Sequence, residues 1–174
     1  NLGEDEITLC CASHRAEPIH VDRVIPWIGR LGLDVDAFEC GPQMPGNEAA
    51  AHALINAGKA PTRAHNNCSG KHSGMLTTVV HMKESVAGYI QPDHPVQTRL
   101  IDLMSELGEV DLSRTARGAD GCGIPVFGAP LKMIAHAMAK LADPSGLSAD
   151  RAAACRRIVK ACAANPRLIS GTGT

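Results

Sequence analysis

The sequence predicts an α/β fold, because short apolar runs of strand length alternate with segments of helical periodicity. Two apolar runs, at 6–12 and 123–129, read as buried strands, and the helical segments lie between and after them. The chain has 174 residues, of which 44% are hydrophobic and 20% are charged, and this suits one compact core. No internal repeat or low-complexity tract interrupts it. We therefore expect a single layered α/β domain over residues 1–174.

The first predicted element is the strand over 6–12, which is rich in apolar side chains and cysteine. A polar cluster at 13–15 follows it directly, and α/β folds place chemistry where strands end. The next segment, 21–31, has apolar residues at helical spacing and Gly32 as a stop, although Pro26 interrupts the pattern. We expect a helix there.

Four further helices are predicted from capping residues and apolar spacing. Their segments are 47–58, 95–108, 130–141 and 148–165, with Gly58 and Gly108 expected to stop the first two helices. The third has an apolar face that we expect to be buried, formed by Leu131, Ile134, Met138 and Leu141. The segment 123–129, bounded by glycines, precedes this helix as the second predicted strand.

Charge and composition exclude several classes of partner. The formal charge of −1 and the presence of only four aromatic residues leave neither a basic field nor a stacking surface for nucleic acid. No apolar run approaches the roughly 18 to 20 residues that a membrane helix needs, and the acidic start is unlike a signal peptide. We expect no nucleic-acid and no membrane partner.

Cysteine usage and the chain ends add two expectations. The seven cysteines include no Cys-x-x-Cys pair and several lie in apolar stretches, so a disulfide framework is not expected and a cytoplasmic location fits best. The sequence opens at Asn1 without Met and stops after a Gly/Thr turn. We expect it to be a fragment of a longer chain.

The segment 64–76, AHNNCSGKHSGML, has the densest group of polar side chains, placed where a helix begins. Ser69 is a candidate N-cap, and Gly70 and Gly74 would let a backbone or a ligand approach closely. Such density indicates a binding or catalytic segment, and a well-capped surface helix is the alternative.

A metal site is one hypothesis for this segment. Cys68 and His72 are four residues apart on one helical face, and the segment Asp120-Gly121-Cys122 supplies a second thiol. Two thiolates and a nitrogen are a donor set that zinc accepts. The alternative is that these cysteines are ordinary small core residues.

Nucleophilic catalysis is the second hypothesis, because it needs a hydroxyl or thiol beside a base. Ser13 is placed at the end of the first predicted strand. Lys71 is the lysine expected in a cleft, where desolvation or a neighbouring positive charge would lower its pKa. The alternative for Ser13 is an ordinary turn residue.

The sequence resembles the asparaginase II family in four motifs that occur in the family order. They are C-A-S-H-x-x-E at 11–17, N-N-C-S-G-K-H at 66–72, D-G-C-G-I-P at 120–125, and the terminal I-S-G-T-G-T. The similarity spans nearly the whole chain. It implies a layered α/β/α fold like that of serine β-lactamases and glutaminases, and hydrolysis of L-asparagine to L-aspartate and ammonia through two Ser/Lys pairs.

The resemblance also assigns residues. Ser13 matches one family serine, whereas its partner lysine and the S-x-x-K pair match nothing in this sequence. Ser13 is then either the nucleophile or a proton relay to a serine outside this sequence. The zinc ligands of the family match Cys68, Lys71 and Cys122, and a lysine ligand must be neutral to offer its lone pair. Residues around the substrate match Asn66, His72 and Asp120. We expect a zinc-dependent homodimer.

Two alternatives to a serine acyl-enzyme stay open. One is a zinc-dependent amidohydrolase in which a metal-bound water attacks the amide. The other is a metal- or substrate-binding fragment without turnover. For the asparaginase, glutamine is the closest competitor, because one extra methylene is worth only about 1 to 3 kcal/mol of discrimination.

Overall fold

The computed structural model describes residues 1–173 and is mostly helical, with one small antiparallel sheet in that part of the chain. This architecture is compatible with an α/β fold. Four short 3₁₀ turns connect the elements, at Val35–Ala37, Arg63–His65, Leu112–Arg114 and Pro144–Gly146. The helices and strands are α1 Glu4–Cys10, α2 Pro18–Arg30, α3 Glu48–Asn56, α4 Ser69–Met82, α5 Pro95–Gly108, β1 Arg117–Ala119, β2 Pro125–Phe127, α6 Leu131–Ala142, α7 Ala149–Ala164 and α8 Pro166–Ser170.

The predicted strand over 6–12 is wrong, because most of this run forms helix α1. The Gly3 N–H donates to Glu6 Oε2 at 2.8 Å, which closes the first turn, and acidic side chains suit a helix N-terminus. Thr8 and Leu9 are fully buried, with α4 and α7 packed against the helix. A continuous apolar run fits a buried helix and a buried strand equally well, so its neighbours decide between them.

Helix α4 lies close to α1 because two glycines face it. A Cβ on Gly70 would lie 2.4 Å from the Leu9 carbonyl oxygen, and a Cβ on Gly74 would lie 2.6 Å from Cys10 Sγ. The predicted close approach at these glycines is confirmed, and the partner is the helix that precedes Ser13. This crossing brings the polar start of α4 beside the loop that follows α1.

The helices predicted from local caps are confirmed. Asn47 accepts a hydrogen bond from Ala50 N at 2.9 Å, and Ser148 accepts one from Arg151 N at 3.4 Å. Helix α2 continues through Pro26, which is exposed. Helix α5 contains Gly108 as its last residue instead of stopping before it.

A close side-chain contact lies at the end of α5. Glu109 takes the left-handed conformation there, with φ 56°. A Cβ on Gly108 would lie 2.3 Å from Met133 Cγ, so glycine is needed for the contact with α6. Packing therefore fixes the glycine inside the helix.

The second predicted strand and the predicted buried face of α6 are only partly right. Strand β2 is three residues long and pairs with β1, and its Val126 is 42% exposed. In α6 the buried residue is Met133, whereas the predicted face is largely exposed: Leu131 79%, Ile134 49% and Met138 57%. The helix packs on α5 and α7 through Met133 and its neighbours. Helical spacing identified a different apolar face, which the described residues leave open to solvent.

The main core lies between α1, α2, α4 and the segments that join them. Its largest fully buried side chains are Trp27, Phe38 and Tyr89, and the indole N–H of Trp27 donates to Thr77 Oγ1 at 2.9 Å. A smaller cluster around Ile101, Leu112 and Met133 joins α5 to α6. Within residues 1–173, no helix combines the length and the apolar character that crossing a bilayer requires.

Candidate functional site

Three motif segments surround one open cleft of about 500 Å³. They are the loop after α1, the start of α4, and the turn between β1 and β2, and a loop before α3 completes the wall. The cleft lies where the close crossing of α1 and α4 brings their ends together. Its lining residues are Ser13, Gly41, Pro42, Gln43, Asn66, Asn67, Cys68, Asp120, Gly121 and Cys122.

Ser13 is exposed in this cleft, at the end of a helix where a strand was predicted. Asn67 Nδ2 donates to Ser13 Oγ at 2.9 Å, and the neighbouring His14 N–H donates to the Asn67 carbonyl oxygen at 2.9 Å. The serine turn is thus fastened to the start of α4 by two hydrogen bonds. Among residues 1–173, no hydrogen bond joins Ser13 to Lys71.

His14 is buried below the serine turn and has a structural environment. Its Nδ1 accepts from Ala16 N at 3.1 Å, so its proton is on Nε2, which donates to Ser69 Oγ at 2.9 Å. The Ser69 hydroxyl in turn donates to Ala64 O at 2.9 Å. Burial lowers the pKa of His14 to about 3, with a smaller contribution from the neighbouring His20. This neutral histidine joins the loop to α4.

The sequence predicted Ser69 as the N-cap of α4, and that prediction is wrong because this network engages the Ser69 hydroxyl. The structure gives that position to Cys68, and its side chain makes no capping bond. Ser69 is the first residue of the helix and is fully buried.

Asn66 links two walls of the cleft through the hydrogen bonds of its side-chain amide. Its Nδ2 donates to Gly41 O at 2.8 Å, and its Oδ1 accepts from Cys68 N at 2.9 Å. The side chain is almost completely buried, although the residue also lines the cleft. Both ends of its amide therefore contact the backbone of the chain itself.

Asp120 organises the turn of the β1–β2 hairpin. Its Oδ1 accepts from Cys122 N at 2.9 Å, from Ile124 N at 3.2 Å, and from the Cys122 thiol at 2.9 Å, while Lys71 Nζ donates to Oδ2 at 3.0 Å. Burial acts to raise the pKa of Asp120, but the hydrogen bonds from Cys122 and Lys71 outweigh it and lower the pKa to about 2. The carboxylate is ionised and faces the cleft.

The protonation of Lys71 differs from the prediction. Burial lowers its pKa, as expected, but the hydrogen bond to Asp120 and the nearby Cys68 and Cys122 outweigh burial, so the net pKa is raised. Burial and the hydrogen bond to Asp120 raise the pKa of Cys122 to about 12. In the absence of a metal this corner is an ammonium–carboxylate pair beside a neutral thiol.

His72 lies behind the cleft and does not line it. The Tyr89 hydroxyl accepts from Glu39 N at 3.0 Å and is hydrogen-bonded to His72 Nδ1 at 2.5 Å. The ring is fully buried and edge-on to Phe38 and Tyr89, and its Nε2 has no hydrogen-bond partner among residues 1–173. Burial, with the charge of Lys71, lowers the pKa of His72 to about 4. The predicted pairing of His72 with Cys68 in a metal site does not occur at the cleft.

Two of the three residues expected to bind zinc lie at this cleft. Cys68 and Cys122 line it, and the Lys71 amine contacts Asp120, which also lines it. Across residues 1–173, no three His, Cys, Asp or Glu side chains are grouped so that they could hold a metal ion. With lysine as the third ligand, however, two sulfurs and one nitrogen remain a set whose chemistry fits zinc.

Sequence reasoning missed three residues of this site. Asn67 binds the serine hydroxyl, Gln43 Oε1 accepts from Asn67 N at 3.2 Å, and Tyr89 holds His72. Asn67 lies inside the polar segment 64–76, so its place in that motif was an available signal. Gln43 and Tyr89 have no local pattern that indicates a role.

The comparison with known proteins covers all the segments that form this cleft. A family model described as L-asparaginase II matches residues 1–174, the whole chain, so all the motif segments lie within the match. No curated protein matches the sequence. Because the family match covers the entire chain, this protein belongs to the L-asparaginase II family.

Proposed function

We propose that this protein is an L-asparaginase that hydrolyses L-asparagine to L-aspartate and ammonia through an acyl-enzyme on Ser13. The observation that carries the proposal is the exposed Ser13 hydroxyl in a cleft of about 500 Å³, a size suited to a small ligand. The family match supports the same reaction class.

The proposed reaction has two steps. Ser13 Oγ attacks the side-chain amide carbon of asparagine, the C–N bond breaks, and the hydroxyl proton leaves with the amine as ammonia. Water then hydrolyses the ester, which gives aspartate and restores the serine. Lys71 is hydrogen-bonded to Asp120, so this proposal does not make it the base for Ser13.

Recognition of the substrate is proposed for the charged and amide groups of the cleft wall. The ionised Asp120 supplies a counter-charge for the α-ammonium group of asparagine. Asn66 shapes the neighbouring wall, on which the substrate lies, through its bonds to Gly41 and Cys68. His72 is buried behind them and is proposed to act by supporting this wall. A site that pairs the α-ammonium group with Asp120 disfavours an N-blocked analogue, because the carboxylate would lose that partner.

We propose that zinc is held by Cys68, Lys71 and Cys122. When bound, the metal supplies a Lewis acid or a point that orients the substrate. Metal analysis of the purified protein is expected to find about one zinc per chain, and Cys68→Ser or Cys122→Ser to remove most of it. Cys155→Ser, in α7 outside the cleft, is the control, and this variant should bind as much zinc as the wild-type protein. A wild-type protein that takes up no zinc from buffer would contradict this assignment.

The remaining proposals concern the whole protein. We propose a layered β-lactamase-like architecture and a cytoplasmic homodimer, as the family resemblance implies. None of the seven cysteines, all of which lie in the described part, forms a disulfide, and this agrees with a reducing compartment. Light scattering on the purified protein tests the dimer.

The decisive test of function is Ser13→Ala, with ammonia release from asparagine as the readout. We expect kcat to fall by about 10³-fold or more. The melting temperature should stay nearly constant, because an exposed turn hydroxyl adds little to the core. Asparagine, glutamine and N-blocked asparagine should give decreasing kcat/KM.

Three outcomes would contradict this proposal. They are full activity in Ser13→Ala, no ammonia release by the wild-type chain, and equal turnover of the blocked substrate. Mass spectrometry of a quenched reaction separates the acyl-enzyme from direct attack by water, since only the first leaves an aspartyl ester on Ser13.

A further inference from the structure

Asn67 joins three segments of the cleft through three hydrogen bonds. Its side chain donates to Ser13 Oγ at 2.9 Å, its carbonyl oxygen accepts from His14 N at 2.9 Å, and its N–H donates to Gln43 Oε1 at 3.2 Å. The contacts with Ser13 and His14 span 54 and 53 positions of sequence. Neighbouring Asn66, by contrast, uses its amide only on backbone groups.

In the hydrogen bond between Asn67 and Ser13, the amide is the donor and the serine oxygen is the acceptor, and this has chemical consequences. The amide nitrogen is a donor only, so it occupies one lone pair of Ser13 Oγ, and the hydroxyl hydrogen must point elsewhere. The exposed side of Ser13 is the open cleft. A fixed N–H donor also stabilises negative charge as it develops on the oxygen.

We propose that Asn67 is a positioning residue for Ser13: it fixes the side-chain rotamer and activates the oxygen through the Nδ2–H donor. This inference rests on the proposed nucleophilic role of Ser13. The reciprocal bond between His14 and Asn67 prevents the two segments from separating, so the donor keeps its geometry while the substrate enters.

The test measures modification of Ser13 directly, without the substrate. Methanesulfonyl fluoride reacts with an activated serine: the Oγ–S bond forms, the S–F bond breaks, and the hydroxyl proton passes to the buffer as fluoride leaves. Peptide mass spectrometry gives the rate at Ser13. We expect Asn67→Ala to slow this rate by about tenfold or more. Asn165→Ala, which removes an amide bonded only to the Ala161 carbonyl, is the control and keeps the wild-type rate.

Asn67→Asp supplies a readout that a merely structural role would not change. At pH 8 the introduced carboxylate can only accept, so labelling should be slower than in Asn67→Ala. Because a carboxyl group regains its O–H donor near pH 4, the ratio of the Asn67→Asp rate to the wild-type rate should be flat from pH 8 to about pH 6 and rise between about pH 6 and pH 4.5. Circular dichroism at each pH checks that both proteins stay folded.

Three outcomes would overturn the inference: no labelling of wild-type Ser13, an unchanged rate in Asn67→Ala, or a ratio for Asn67→Asp that does not vary with pH. Asparagine turnover is measured separately. Labelling that follows the expected pattern without ammonia release would refute the asparaginase proposal and leave this inference standing. Turnover that is insensitive to Asn67→Ala would do the reverse.

Discussion

At the scale of single residues, a buried carboxylate connects the serine-bearing motif to the far end of the sequence. Glu17 accepts from Thr172 N at 2.9 Å and also from the Thr172 hydroxyl. Gly171 makes this possible: its φ is 91°, and a Cβ there would lie 2.2 Å from Glu17 Oε1. The Gly-Thr motif is thereby held beside the loop that carries Ser13. Thr174, the last residue of that motif, lies outside the described residues.

This clasp predicts a pH dependence of stability. Burial raises the pKa of Glu17, but the hydrogen bonds from Thr172, with the charges of His20 and Arg15, outweigh it and lower the pKa below 4.5. A lowered folded-state pKa means that the stabilisation is present above about pH 4.5 and is lost as the pH falls through the folded pKa. Glu17→Gln should therefore cost about 2 kcal/mol at pH 7.

Urea unfolding at pH 7 and at lower pH measures this effect. The difference between wild type and Glu17→Gln should shrink as the solution becomes acidic. Glu48→Gln, at an exposed carboxylate in the first turn of α3, is the matched control and should show only a small effect. A Glu17→Gln difference that is constant with pH would show that the carboxylate charge has no part in the clasp.

At the scale of secondary-structure elements, the crossing of α1 and α4 positions the cleft. Gly70→Ala would place a methyl group 2.4 Å from a backbone carbonyl, which cannot rotate away. We expect the free energy of unfolding to fall by roughly 1–3 kcal/mol. Because the shift separates the serine loop from the start of α4, turnover should fall as well.

Gly29→Ala is the matched control for this prediction. Gly29 lies in α2 with no atom within 4 Å of an added Cβ, so alanine should stabilise the helix by at most about 1 kcal/mol. Thermal unfolding of both variants is the measurement. Equal stabilities for the two variants would contradict the close approach at Gly70.

At the scale of the whole molecule, the first and last segments of the sequence pack on one another. Thr8 Oγ1 lies 2.8 Å from the Ala161 carbonyl oxygen in a buried contact between α1 and α7. With the Glu17–Thr172 clasp, this contact closes the chain around the serine loop. Long-range contacts of this kind place Ser13, since no strand supports it.

Thr8→Val tests the closure, because valine keeps the shape of threonine but removes the hydroxyl that lies 2.8 Å from both the Glu4 and the Ala161 carbonyl oxygens. We expect a loss of about 1–2 kcal/mol in the free energy of unfolding. Thr98→Val, at an exposed hydroxyl that bonds only within its own helix, should stay within about 0.5 kcal/mol of wild type. Indistinguishable losses in the two variants would rule out a special role for the α1–α7 contact.

The sequence by itself determined what depends on neighbours a few positions away. Asn47 and Ser148 start helices and Gly58 follows the end of one, because a cap is a hydrogen bond or a backbone angle between adjacent turns. The polar segment 64–76 was recognisable for the same local reason, and its family motifs identified the family.

Only the tertiary structure decided the state of residues far apart in sequence. The run at 6–12 is helical with α4 and α7 packed around it, and the pKa of Lys71 is raised although it is half-buried, because its amine donates a hydrogen bond to Asp120, 49 positions later. Asn67 meets Ser13 only after the α1–α4 crossing forms. The pattern of residues along a chain indicates local secondary-structure preference. Burial, protonation and side-chain partners are instead set by groups that only the fold brings within a few ångströms.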